Sequence, residues 1–557
     1  MIDNYFIADQ FSLLSKLMDI HGENSFKSKS YAAAAFNIEK LPQQLADTQT
    51  DKLSTLKGIG DSAAKKIIEI LETGKLKALE DILQKTPAGV LEMLQIKGIG
   101  PKKISTIWKE MEIESLGELL YACNENRLLL FKGFGEKTQK NVQEAIEFYF
   151  KNQGSHLFAE IEKYAISVHK KLAENFSSHQ LTLTGEFRRQ LEIINQLEWV
   201  ITANTDELKA FFLANQFTVD TESATTVSFN GPENIKLVFH IAHPDSFGAT
   251  LFETSAGEDF LATCRKKAGW DKIRNAKDEA TVLTTLQLPV LPSFLREQSW
   301  QATLTDIPVV IQPSDIKAII HSHSNWSDGS HTVEEMAKAC IAKGFEYLVI
   351  SDHSKSAFYA NGLTEERIRE QHRYIDELNE KLSPFKIFKS IECDILNDGS
   401  LDYSNSILST FDLVITSVHS NLKMTEEKAM QRLLTAIENP YTTILGHMTG
   451  RLLLSRKGYP VNHATIIDAC VAHKVTIELN AHPRRLDMDW RWIHEAIEKG
   501  VLISIDPDAH TIEGYDDCRF GVLAAQKAGL TKSNNLSSYT LKEFESFLSA
   551  RKTVKKI

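Results

Sequence analysis

Seven times between residues 316 and 510 the sequence repeats one event: a short, apolar, β-branched run ends in a histidine or a carboxylate. The runs are IKAIIHSHSNWSDG, YLVISDHS, KIFKSIECDIL, LVITSVHS, TTILGHMTGR, VTIELNAHPRR and LISIDPDAH. Val- and Ile-rich segments separated by roughly 20 to 40 helix-compatible residues predict parallel strands with helical crossovers. Such strands present their C-terminal ends on one face, so the chain must gather many metal-type ligands in a single barrel mouth. His321 and His323 alternate at one strand end and therefore project to the same side. Asp328 follows in a loop, and His353, Glu392, His419, His447, Asp508 and His510 end the later runs. Nine imidazole and carboxylate donors without a cysteine among them suit two to three divalent ions, zinc or manganese first, in an open, Lewis-acidic site. Isolated histidines are ordinarily packed or surface residues, and His331, His463, His473 and His494 are read so.

At 557 residues the chain is longer than one core supports, which predicts several domains. No apolar run reaches the roughly 18 residues of a membrane span, and the N-terminus lacks a basic start followed by an apolar stretch. A cytoplasmic protein with no membrane partner is expected. The six cysteines show no CxxC spacing and read as buried, reduced thiols. A net charge of −11 gives no broad positive field, and residues 1–150 sum to about −2, so any nucleic-acid contact must come from local geometry.

Such geometry is present. LSTLKGIGDSAAKKIIEIL and LEMLQIKGIGPKKISTI each place an apolar run before Gly-Ile-Gly, and LLLFKGFGEKTQKNV is a weaker third copy. A Gly-x-Gly hairpin lets a backbone approach closely, and the N–H groups opening the next helix can hold a phosphate oxygen. The DNA-contacting residues expected are Lys57, Gly58, Gly60, Lys65 and Lys66 in the first copy, and Lys97, Gly98, Gly100, Lys102 and Lys103 in the second. Lys132, Gly133 and Gly135 complete the set in the third. Helix-hairpin-helix motifs read phosphate backbone and carry little base information.

The order of these elements, with ENSFKSKSYAAAAFNIEKLP before the first hairpin and ETGKLKALE after it, resembles the small domain and fingers of family X DNA polymerases. The C-terminal half resembles the PHP (polymerase and histidinol phosphatase) domain fused to bacterial members of that family. The resemblance implies a trinuclear centre: His321, His323, Glu392 and Asp508 on one ion; Glu392 with His419 and His447 on a second; Asp328, His353 and His510 on a third. It also places a Schiff-base lysine at Lys66, although paired lysines on a helix are more often solvated or phosphate-facing charges.

The family's palm carries Gly-Ser-x-Arg-Arg, then Asp-x-Asp, then a third aspartate on a later strand, and the carboxylates hold two magnesium ions. Here the segment reads LTLTGEFRRQLEIINQLEWVI. Gly185, Arg188 and Arg189 keep the frame, Glu186 replaces the serine, Gln196 and Glu198 replace the aspartate pair, and the third aspartate falls at or near Val238. Loss of nucleotidyl transfer is expected, because an amide and an apolar side chain cannot supply the missing metal charge.

The fold class expected is multidomain. Residues 1–80 form a helical small domain, 81–150 fingers-like helices, and 151–295 a degenerate α+β nucleotidyltransferase-like palm and thumb. A surface linker follows over 296–315, and 316–557 form the PHP domain, an α/β distorted barrel of about seven parallel strands. The chemistry expected is metal-assisted phosphoester hydrolysis through His321, His323, Glu392, His419 and Asp508, with Arg451 and Arg485 clamping phosphate. A 3′-5′ exonuclease acting at gapped or 3′-ended duplex DNA in repair is the reading. The alternatives are an active family X polymerase and a phosphatase of a small phosphate ester.

Overall fold

The computed structural model describes residues 2–39, 41, 43–56, 58–151, 154–231 and 235–555. They form two compact units, Met1–Cys123 with Phe131–Glu147, and Asn124–Leu130 with Phe148–Ile557.

The first unit is built from helices. Asp3 caps Asn4–His21 by accepting from the Phe6 N–H, and Gly22 ends that helix with a left-handed φ of 74°. Its apolar stripe (Ile7, Phe11, Leu14, Leu17, Met18) is buried, and Ser15 bonds the second helix, Ser25–Glu39, through Ser28. Helices Asp61–Thr73, Pro101–Lys109 and Glu136–Lys151 each start directly after a Gly-x-Gly turn.

The second unit begins with a five-stranded sheet in the order Leu181–Thr184, Gln196–Ile201, Lys236–Ile241, Thr226–Asn230, Thr218–Glu222. Its core is aromatic: Phe212, Phe229 and Phe239 lie fully or nearly fully buried with Trp199, and Trp199 stacks on Phe239 at 5.2 Å. A small helical cluster around Phe252, Phe260 and Leu283 follows.

The barrel strands are Ala318–Ile319, Tyr347–Ile350, Lys386–Lys389 continuing as Glu392–Asp394, Val414–Ser417, Thr442–Leu445, Thr476–Asn480 and Ile503–Asp506. All neighbours pair in parallel, in two sheets that divide within the third strand. Single bridges, His353 to Glu392 and Ser322 to Ala509, join the sheets on both sides. Seven strand segments thus close into a distorted ring with the crossover helices outside. Apart from Lys386 and Lys389 the strand residues are buried, as β-branched runs covered on both faces must be.

The stretch 296–315 departs from the expected surface linker. Arg296, Gln301 and Ala302 are buried, Gln301 donates to the Lys527 carbonyl, and Ile311 joins the barrel core. The apolar residues within this segment supply core contacts to the elements on either side, so exposure is confined to short stretches such as 305–307 and 312–314.

Candidate metal centre

The barrel mouth brings all nine expected ligands together. Glu392, at the centre, is 1% exposed. Its Oε1 lies 2.9 Å from His447 Nε2, 3.1 Å from His419 Nε2 and 3.3 Å from His321 Nε2. Its Oε2 lies 2.9 Å from His353 Nδ1 and 3.7 Å from His323 Nε2. Asp508 Oδ1 sits 3.0 Å from His323 Nε2 and 3.4 Å from His321 Nε2. Asp328 faces His510 and His353, each at 3.5 Å. Donor atoms within 4.8 Å of one another form three groups: His321, His323, Glu392 and Asp508; His323, Asp328, His353 and His510; and His353, Glu392 and His419.

Two of these ligands hold left-handed backbone, His321 at φ 59° and Asp508 at φ 52°. For non-glycine residues this costs of order 1 kcal/mol each and persists where the surroundings enforce it. Here Ala509 enforces it, accepting from the His323 N–H at 2.9 Å and donating to the His321 carbonyl at 3.3 Å. The bond pair that closes the ring therefore also turns the two ligands inward.

The donor set fits divalent cations. Buried His321 Nε2, His323 Nδ1, Asp328 Oδ2, His447 Nδ1 and His510 Nε2 all lack a hydrogen-bond partner among the described residues. Orphaned polar atoms at this density would be costly in a structural core, and cations satisfy such donors. Burial alone would raise the Glu392 carboxyl, yet His419, His321 and His353 hold it well below the usual range. Burial would lower the His419 imidazole, but Glu392 and Asp394 push it up to about 9. Metal binding displaces protons held in this way.

Three carboxylates that sequence reasoning missed orient the ligands. Glu478 on the sixth strand is fully buried; its Oε2 meets His321 Nδ1 at 2.5 Å, and its Oε1 accepts from the His447 N–H at 3.0 Å. Asp394 Oδ1 meets His419 Nδ1 at 2.5 Å. Asp352 accepts from the N–H and hydroxyl groups of Ser324 and Ser327 and from Gln371 Nε2, fixing the loop that carries Asp328. All three stood inside the quoted runs; the signal was an acidic residue within an apolar strand or beside a ligand.

The expected phosphate clamps divide. Arg485 is buried at the rim, its Nε 4.0 Å from Asp508 Oδ2 and its Nη2 4.0 Å from Glu125 Oε1. Arg451 does not serve as a clamp: Nη1 pairs with Asp489 at 2.6 Å, Nε donates to the Arg485 carbonyl, and Nη2 to that of Leu486. Its fork is used to shape the loop that presents Arg485. Lys355 lies half-exposed over the Tyr403 ring with Glu365 3.8 Å away. His482 is pushed down to about 3 by burial, Arg484 and Arg485, which makes it a neutral imidazole beside the rim.

In the helical unit, Gly58, Gly98 and Gly133 take φ of 82°, 101° and 95°, the conformation that the hairpin turn demands. Gly60, Gly100 and Gly135 immediately precede their helices, and an added Cβ at any of the three would meet nothing within 4 Å. Lys65, Lys97, Lys102 and Lys132 are exposed. Lys103 reaches over the Phe134 ring, joining the second and third hairpins, and Lys66 lies 5.7 Å from the Tyr31 ring centroid. Lys57 lies outside the described residues.

The five-stranded sheet places the palm positions in register: Glu198 pairs with Thr184 on one side and Val238 on the other. Glu198 Oε2 is held by His240 Nε2 at 2.8 Å, and its other oxygen lies where a Cβ on Gly185 would fall. Gln196 opens the same strand. Glu186 accepts from the Asn195 N–H at 2.7 Å, Arg188 grips Glu279 with both terminal nitrogens, and Arg189 Nε meets Glu297 at 2.5 Å. Asp220 pairs with Lys236 at 2.8 Å on the edge strand. Among the described residues, no group of three metal-type donors forms in this sheet.

The helix-hairpin-helix domain family matches residues 2–76, the SAM-like helix-hairpin-helix tandem family residues 90–147, and the PHP domain family residues 320–501. The chain is 32% identical over 558 residues to the DNA polymerase/3′-5′ exonuclease PolX of Bacillus subtilis (strain 168), covering 95% of this chain and 96% of that protein. A probable phosphatase of Thermoanaerobacter sp. (strain X514) is 25% identical over 232 residues, 39% of this chain and 89% of the relative. The probable phosphatase YcdX of Escherichia coli O127:H6 is 22% identical over 207 residues, 34% of this chain and 78% of the relative. No described helix is long and apolar enough to cross a membrane. Hairpins, a sheet carrying the Gly-x-x-Arg-Arg frame and a histidine-rich barrel, matched along 95% of the length, make this chain a member of the PolX family, the family X DNA polymerases that carry a PHP domain.

Proposed function

We propose that the chain binds DNA through its hairpins and removes nucleotides from 3′ ends by phosphoester hydrolysis in the barrel mouth, with nucleotidyl transfer lost from the palm. The observation that carries this reading is the contrast between the two sites. Five imidazoles surround Glu392 in the barrel, whereas the three palm positions offer one carboxylate, already held by His240. The relative's printed activities, polymerase and 3′-5′ exonuclease, thus separate in this chain.

His321, His323, Glu392 and Asp508 would hold one cation, Glu392 with His419 and His447 a second, and Asp328, His353 and His510 a third, with zinc or manganese suiting the imidazole-carboxylate set. Cations bound there lower the pKa of water and neutralise phosphoryl oxygens. Asp394 and Glu478 keep the His419 and His321 rings in their orientations. Arg485, at the rim, offers a planar guanidinium to a phosphate oxygen. The hairpins distinguish this reading from a small-ester phosphatase, which needs no grip on a nucleic-acid backbone. A cytoplasmic setting accords with the six buried, unpaired cysteines.

A 5′-labelled gapped duplex incubated with manganese, with and without nucleotides, tests the reading. Shortened primers from the wild type and intact ones from His419→Ala are expected. Primer lengthening in the presence of nucleotides would overturn the silent palm, and undiminished shortening by His419→Ala would overturn the barrel assignment.

A further inference from the structure

The barrel has a second recess, at the end opposite the metal ligands. It is lined by Leu408, Phe411, Leu413, Val414, Tyr441 and Leu548, and by Asp412, Thr443, Arg551 and Lys552. Val414 opens the fourth strand and Thr443 lies second in the fifth, so the cleft sits at the N-terminal strand ends. Its cavity volume is about 100 Å³, open to solvent at the mouth, on the order of the roughly 150 Å³ cavity that takes a single benzene ring.

Arg551 sets this recess apart. The residue is 7% exposed, and among the described residues its hydrogen bonds run from Nη2 to the Pro440 and Thr442 carbonyls. Nε is buried without a partner, and among the described residues no carboxylate pairs with the guanidinium. Burial pulls its pKa down to about 10 with no neighbouring charge to oppose the change. Asp412, on the cleft wall, is engaged by the Lys389 N–H at 2.8 Å. Lys552 Nζ adds a second cation, bonded to the Phe411 carbonyl at 3.2 Å, and Lys555 feels both Arg551 and Lys474. A buried, unpaired guanidinium is expensive, and its natural complement is an anion able to accept from the free side of the fork.

We propose that this cleft binds a small organic anion, a carboxylate or phosphate ester on an apolar body. The charged group meets Arg551 and Lys552, and the body lies against Phe411, Leu413, Tyr441 and Leu548. The apolar walls select against bare inorganic ions, whose hydration they cannot replace.

Methyl-detected NMR of the full chain, with benzoate and phenyl phosphate as separate probes, reads the site locally through the Leu408, Leu413, Val414 and Leu548 methyls. These reporters separate cleft binding from phosphate reaching the metal ligands. Saturable shifts in those methyls are expected with at least one probe, and which probe is tighter identifies the anion. Arg551→Met and Lys552→Ala should each weaken binding by roughly ten- to a hundredfold, the loss of one charge-assisted hydrogen bond. Should Arg551→Met fail to fold, the half-exposed Lys552 still decides. No saturable shift with either probe, or unchanged affinity in Lys552→Ala, overturns the proposal. So does a thermal unfolding midpoint of the wild type that does not rise with probe concentration.

Discussion

Replacing Glu478 by Gln should release metal from a site whose nine expected ligands are all intact. The carboxylate accepts twice, from the His447 N–H at 3.0 Å and at His321 Nδ1 at 2.5 Å, and it has no solvent exposure through which to relax. An amide cannot reproduce both bonds. With its oxygen toward His447, its NH2 meets a ring nitrogen that must carry a proton if Nε2 is to face a cation; flipped, the NH2 meets the backbone N–H. Either way one donor opposes another, and the ring that faces Glu392 and Asp508 loses its anchor. Loss of an outer partner of a metal-bound imidazole weakens affinity roughly ten- to a hundredfold, or about 1.4 to 2.7 kcal/mol. The assay is competition with a calibrated chelator, read by elemental analysis of the retained ion, alongside circular dichroism to establish that the barrel is folded. Retention of wild-type affinity by folded Glu478→Gln would refute the claim that this carboxylate orients His321.

Three further outcomes follow from other parts of the molecule. Lys527 is held down to about 8 by burial, against Glu192 and Glu297, so the folded protein binds fewer protons than the unfolded chain between pH 8 and 10.5. Its contribution to stability is present in full above the unfolded pKa and is lost as pH falls through 8, a change of about 3 kcal/mol that urea unfolding should show in wild type but not in Lys527→Met. Equal pH dependence in the two proteins would count against it. Glu279→Ala strips the partner from both Arg188 and Arg296 and should cost about 3 to 5 kcal/mol in the same assay, whereas a loss below 1 would show the pair to be solvated. Lys97→Ala and Lys102→Ala should each weaken duplex binding irrespective of sequence and lower the salt slope by about 1; a sequence-dependent loss would refute backbone contact.

The clustering of the nine expected ligands was legible because each is local to its strand: a run's end, the period of two and the common direction of parallel strands suffice to bring nine residues to one rim. The same information sits in VTIELN, where a lone glutamate amid apolar neighbours requires a buried partner, yet nothing local says that the partner is His321. Arg451 shows the converse. After GHMTG it reads as a clamp, but Asp489 takes it from 38 residues away. Arg188 and Arg189 find Glu279 and Glu297 at separations of 91 and 108. Tertiary pairing of long charged side chains has no periodicity, so sequence spacing names the charge and leaves its partner open.

Those pairings bear on why a sheet whose described residues form no group of three metal-type donors keeps its frame. The segment after the arginines is bound to the barrel: Lys527 Nζ donates to the Gln190 carbonyl at 2.6 Å, and Glu192 receives Arg491 at 2.7 Å and Trp490 Nε1 at 3.1 Å. Arg484 reaches Glu160 at 2.5 Å from the same barrel loop. That loop runs from His482 to Arg491 and presents Arg485 to the ligand cluster. Arg188 and Arg189, which could have faced a triphosphate, thus make partly buried ion pairs, and breaking such a pair strands a charge that is shielded from water. Loss of nucleotidyl transfer from the palm, as proposed, would leave this cost in place. Substitutions at Gln196, Glu198 and Val238 touch none of these contacts, while Arg188, Arg189, Gln190 and Glu192 hold the sheet to Glu279, Glu297 and the barrel. The positions in this segment that would hold a nucleotidyl-transfer metal pair are thus separate from those whose side chains tie the sheet to the barrel and its ligand cluster.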